Sequence, residues 1–136
     1  MSPSPEQLEY AALLLRRAEA DLYACRVLAA DPAAGDDSVG FHAQQAAEKA
    51  LKLALVLAGS DFPRTHDLEF LVARVRDCGV EPPVQLTEPE WLTPWAAEFR
   101  YDEPMTLDRG AAVAAAASAV EWAASLMGGE AEEDGG

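Results

Sequence analysis

The chain has 136 residues, 50% hydrophobic and 25% charged, with 24 acidic side chains against 10 basic ones and a formal net charge of −14. That length suits one domain able to bury an apolar core without disulfides or a structural metal. The acidic excess excludes broad, phosphate-driven binding to duplex DNA or RNA, which depends on many Lys and Arg, and leaves only a local nucleic-acid role. Cys25 and Cys78 lie far apart in sequence, and no charged-then-apolar leader is present. The longest apolar stretch, Ala111 to Val120, falls short of the roughly 20 residues of a membrane span. A soluble protein in a reduced, cytoplasmic setting is expected.

Leu8, Ala11, Leu15, Ala18, Leu22, Cys25 and Ala29 alternate spacings of three and four, which predicts one face of a long first helix ended by Pro32 and Gly35. Asp36, Asp37 and Ser38 offer N-cap oxygens to a second helix running from Val39 to Ala58. After the turn Gly59-Ser-Asp-Phe-Pro, Thr65 or Asp67 can cap a third helix carrying Leu68, Leu71, Val72 and Val75, stopped by Gly79. Thr87 and Glu90 have capping-box spacing for a fourth helix reaching Tyr101, with Pro94 as a kink or a late start behind Thr93. Met105 to Met127 makes an Ala-rich fifth helix with Leu107, Val113, Val120, Trp122 and Leu126, ended by Gly128-Gly129. Residues 129–136 are acidic, carry four negative charges and should form a disordered tail behind a folded unit of residues 1–128. No strand-like alternation occurs, so the fold class is all-α, an up-and-down bundle of four to five helices.

The second helix holds the candidate chemistry. At about 100° per residue, His42, Gln45, Lys49 and Lys52 share about 80° of arc as one polar stripe. Ala43, Ala47, Ala50 and Ala54 form a small-residue face suited to close packing. Such a stripe can contact an anion or nucleotide, because Lys supplies charge while His and Gln supply directional hydrogen bonds. Equally it can be a solvated face with a plain i, i+4 pair between Glu48 and Lys52. From Val39 to Ala58 there are one acid and two lysines, against the trend of the chain. Arg100 and Tyr101 could hold a phosphate and a base, or Arg100 could complement the helix end or pair with Asp102 or Glu103. His66, beside a cap residue, reads as a hydrogen-bonding structural group, and with His42 it lacks a third ligand for a metal. Trp91, Trp95 and Trp122 read as packing residues, and no Gly-rich phosphate loop is present.

Three segments in order, Phe41-His-Ala-Gln-Gln-Ala-Ala-Glu-Lys-Ala-Leu-Lys, Thr65-His-Asp-Leu and Leu92-Thr-Pro-Trp-Ala-Ala-Glu-Phe-Arg-Tyr, resemble those of prokaryotic HEPN domain proteins, from about Leu8 to Leu126. The resemblance implies a helical bundle, commonly a homodimer, associated with nucleotide or nucleic-acid binding. It also implies a frequent pairing with a small nucleotidyltransferase in a two-gene, toxin-antitoxin-like module. Ribonuclease members carry an Arg followed by a His with four to six residues between them. After Arg100 those places hold Met105, Thr106 and Leu107, so the His is absent. Cleavage through a 2′-OH needs a group that moves protons near neutral pH, and Arg does not.

The expectation is therefore a HEPN-like module that binds a nucleotide or short RNA through His42, Gln45, Lys49, Arg100 and Tyr101, with no catalytic residue, metal or cofactor. Two alternatives stand beside it. One is a metal-independent ribonuclease toxin borrowing His42 or His66, and the other is a structural adaptor for a nucleotidyltransferase.

Overall fold

A computed structural model describes residues 2–87 and 107–135, with side chains described through Gly128. Among the described residues it contains five helices and no strand: α1 (Pro5–Ala29), α2 (Asp36–Leu57), α3 (Leu68–Asp77), α4 (Val84–Thr87) and α5 (Arg109–Gly135). The all-helical expectation holds. Ser4 opens α1 with a capping box, accepting from Gln7 N–H at 3.1 Å while Gln7 Oε1 accepts from Ser4 N–H at 2.6 Å. Pro5 follows at the first helical position, where its missing N–H costs nothing. The buried face of α1 is Ala11, Leu14, Ala18, Asp21, Leu22 and Cys25. It is rotated from the expected stripe, so that Leu14 and the acid Asp21 point inward while Leu8, Leu15 and Ala29 are only half-buried.

α2 is the central helix and packs against α1, α3 and α5. It begins at Asp36 behind Gly35, with no side-chain cap bond. Asp36, Asp37 and Ser38 therefore form its first turn and do not cap it. The Asp36 carboxylate is drawn instead to Arg109, whose Nε donates to Oδ1 at 2.6 Å. Ala43, Ala47, Ala50 and Ala54 are all buried, as the small-residue face predicts.

Asp67 caps α3 by accepting from Phe70 N–H, and Leu68, Leu71, Val72 and Val75 form its buried side. Gly79, at φ 82°, ends this segment in the left-handed region that glycine tolerates best. Thr87 is the last residue of α4, its hydroxyl donating to Val84 C=O at 2.9 Å, and the helix expected from Thr87 and Glu90 to Tyr101 lies outside the described residues. Trp91, Trp95, Arg100 and Tyr101 lie outside the described residues.

Asp108 caps α5, accepting from Ala111 N–H at 3.0 Å. The helix inserts alanines: Ala112, Ala115, Ala116, Ala119 and Ala123 are fully buried, whereas Val113, Val120, Trp122 and Leu126 only flank the core. Small side chains let α5 approach α1 and α2 closely, which displaces the larger residues to the margins. Residues Arg109–Gly128 are long and apolar enough to cross a membrane by length and composition, beyond the span read from Ala111 to Val120. Five alanines of that stretch are nevertheless buried inside this bundle. The helix also continues through Gly128-Gly129 to Gly135 and does not stop at the glycine pair. Glycine costs about 1 kcal/mol in a helix, too little by itself to end a long anchored one.

Ala115→Leu is expected to destabilise the protein by about 1–3 kcal/mol through overpacking. Ala111→Leu, at an exposed position of the same helix, should be near neutral. Paired chemical denaturation curves check the contrast.

Candidate functional site

Two buried carboxylates organise the polar groups of α2. The first is Asp21, 9% exposed on the inward face of α1. Its Oδ1 lies 2.9 Å from His42 Nδ1, and its Oδ2 accepts from Lys49 Nζ. An ionised carboxylate only accepts, so His42 donates to it through Nδ1–H, and His42 Nε2 makes no hydrogen bond among the described residues. Lys49 uses one of its three N–H donors on Asp21. His42 and Lys49 are thus brought together, about two turns apart on the α1–α2 edge. Gln45 lies between them on the same edge, half-buried.

The second carboxylate is Glu48, 4% exposed. Lys52 Nζ donates to its Oε2 at 3.2 Å, which is the plain i, i+4 pair foreseen for these residues. Its Oε1 lies 2.8 Å from His66 Nδ1, although the His66 side chain is itself 79% exposed. His66 is therefore a hydrogen-bonding group that ties the α2–α3 loop to the central helix, with Nε2 turned to solvent. Lys52 also stands 5.9 Å above the Phe62 ring. His42 and Glu48 are separated by six residues, about 9 Å along the helix axis, so the two imidazoles belong to different clusters.

The expected set is only partly assembled among the described residues. His42, Gln45 and Lys49 share an edge, and Arg100 and Tyr101 fall outside the description. The sequence reading missed Asp21, yet a signal existed: Leu14, Ala18, Asp21 and Cys25 keep four-three-four spacing, which places an acid on an apolar stripe. A buried acid at such a place needs donors, and α2 supplies them.

Neither cysteine is disulfide-bonded. Cys25 is buried, its thiol donating to Val39 C=O at 3.6 Å. Burial pushes its pKa above the ordinary 9.0, with nearby Arg26 pulling it down and Asp21 pushing it up. The unfolded thiol ionises first, so this group's contribution to stability is complete below pH 9.0 and is lost as pH rises through its folded pKa. In a native labelling experiment at pH 8, a thiol reagent should modify exposed Cys78 and spare Cys25 until denaturant is added. Equal rates at the two positions would contradict the burial.

No group of three or more His, Cys, Asp or Glu placed to hold a metal ion occurs among the described residues. No curated protein and no solved structure matches the chain. A family model described as the HEPN domain matches residues 11–126. That span covers α1 from its seventh residue on, the Asp21 and Glu48 clusters and most of α5, and the chain belongs to the HEPN domain family.

Proposed function

We propose that this chain is a HEPN module that binds a nucleotide or a short RNA segment without cleaving it. The observation that supports this is the Asp21 clamp, which fixes His42 and Lys49 on one edge of α2 with His42 Nε2 and two Lys49 N–H donors unused among the described residues. Asp21 offsets the Lys49 charge, so attraction there is by local hydrogen bonding and not by a long-range field. That fits a compact ligand and suits a chain with a net charge of −14. Gln45 adds an amide to the same edge, and Arg100 with Tyr101 complete the proposed contact set. The Arg100 segment lacks its downstream His, which removes the proton-moving partner of the family's ribonuclease motif.

A nucleotide that binds only the folded state raises its stability by about 2.7 kcal/mol at one hundred times its Kd. A melting series with nucleotides and short oligoribonucleotides should therefore show upward shifts that Lys49→Ala reduces. If none of these ligands moves the transition, the proposal fails. Homodimerisation belongs to the same proposal and predicts a light-scattering mass twice the chain's 14.5 kDa. So does a small nucleotidyltransferase partner, which would be encoded beside this chain and copurify with it.

A metal-independent ribonuclease is favoured by one observation of its own. An exposed imidazole held through Nδ1 by a buried carboxylate, as His66 is by Glu48, has the arrangement of a general base with Nε2 free. RNA cleavage in the presence of chelator, abolished by His66→Ala, would establish that activity over simple binding.

A further inference from the structure

The first turns of α1 and the α2–α3 loop enclose an open groove of about 410 Å³, inside the roughly 300–1,000 Å³ range of small-molecule sites. The hollow beside His42 and Phe41 is smaller, about 270 Å³. Tyr10, 47% exposed, and the half-buried Phe62 bring two aromatic rings to the larger groove, with Val56 as a third apolar wall. Gln7 also lines it, and the capping box occupies its carbonyl oxygen with Ser4 N–H. Its Nε2, 3.8 Å from where a Cβ on Gly59 would stand, makes no hydrogen bond among the described residues.

Arg64 is the cation of this groove. Lys49, Lys52, Arg74, Arg76 and Arg109 all spend their charge on carboxylates or carbonyls. Arg64 is exposed and makes no hydrogen bond or ion pair among the described residues. Asp61 lines the same groove and can accept only from donors, such as ribose hydroxyls or an exocyclic amine. The loop is held in place before any ligand arrives. Arg74 Nη2 donates to Ser60 Oγ at 3.2 Å and to Asp61 C=O, and Glu48 anchors His66. A preordered site loses less entropy on binding.

Two aromatic rings for a flat heterocycle, a carboxylate for its sugar or amine, and one uncommitted guanidinium beside an amide donor form a specific combination. We infer that this groove is a mononucleotide site, with the base against Tyr10 and Phe62 and the phosphate on Arg64. The inference rests on the nucleotide-binding function proposed above and adds a subsite to it, about 10 Å along α2 from Lys49.

The test is titration calorimetry of the full chain with AMP, GMP, CMP and UMP, with adenosine and inorganic phosphate as separate arms. Tyr10→Ala and Arg64→Gln should each weaken mononucleotide binding about tenfold or more, while Arg16→Gln, exposed on α1, leaves it unchanged. Both informative positions are solvent-accessible, and circular dichroism melts confirm that the variants are folded. Weakening confined to Lys49→Ala, with Tyr10→Ala and Arg64→Gln at wild-type affinity, overturns the groove site and leaves nucleotide binding standing. Inorganic phosphate binding as tightly as the nucleotides overturns the base-holding role. Absence of binding by all four mononucleotides overturns the inference, and oligoribonucleotide binding in the melting series then decides separately whether the broader function survives.

Discussion

Replacing Arg109 by Ala is expected to lower the melting temperature by about 10 °C. Its guanidinium donates to Asp36 Oδ1 at 2.6 Å, to the carbonyls of Leu28, Ala29 and Asp31 at 3.1, 3.3 and 3.0 Å, and to Ala34 C=O. The last carbonyls of α1 have no intrahelical partner, and the helix dipole there favours a cation. One side chain therefore closes the end of α1, spans the α1–α2 turn and fixes the start of α5. Asp36 Oδ2 adds a bond from Leu107 N–H at 3.4 Å. Charge-assisted hydrogen bonds contribute about 1.5–3 kcal/mol each and are not additive here, which gives about 3 kcal/mol for the cluster. For a chain of this size that converts to about 3–4 °C per kcal/mol. Arg109→Lys keeps the charge but loses the planar fork and should recover less than half of the loss. Asp36→Asn, which leaves the carbonyl contacts in place, should cost roughly 1–2 kcal/mol. Thermal melts by circular dichroism check the order, and an Arg109→Ala transition within about 3 °C of wild type would show that water replaces the guanidinium at these carbonyls.

What the sequence shows plainly and what it conceals divide along physical lines. Helical periodicity is local, so Leu68, Leu71, Val72 and Val75 identify the inner side of α3 directly, and Asp67 and Gly79 mark its ends. The four alanines of α2 likewise announce a close-packed face. On α5 the same logic misleads, because the larger residues Val113, Val120 and Trp122 look like the core while alanines occupy it. Helix spacing there decides which residue fits, and spacing is a tertiary quantity. The Lys52–Glu48 pair follows from i, i+4 geometry, but Glu48 also reaches His66 across 18 positions. Arg109 reaches Asp36 across 73. No local rule joins such partners, and Asp36 looked like a cap because an Asp before a helix usually is one.

Glu48 carries the second large effect. Its side chain is 5% exposed, and it neutralises Lys52, whose side chain is only 15% exposed. Removing one partner of such a pair leaves an uncompensated charge, which typically costs about 3–5 kcal/mol. Glu48→Leu should fall at the lower end, about 3 kcal/mol, because Lys52 can extend its ammonium toward water along its flexible stem. The double change Glu48→Leu with Lys52→Met removes both charges and keeps the apolar volume, so most of the stability should return. His66→Ala should cost no more than about 1 kcal/mol, since a largely exposed imidazole forfeits little when its bond is lost. Urea denaturation of the three variants reads these costs directly. A double variant as unstable as Glu48→Leu alone would mean that the carboxylate matters through the His66 tether of the α2–α3 loop more than through its charge pair. In that case His66→Ala should prove as costly as the loss of Glu48, and the loop that presents Phe62 and Arg64 would depend on that single hydrogen bond for its position.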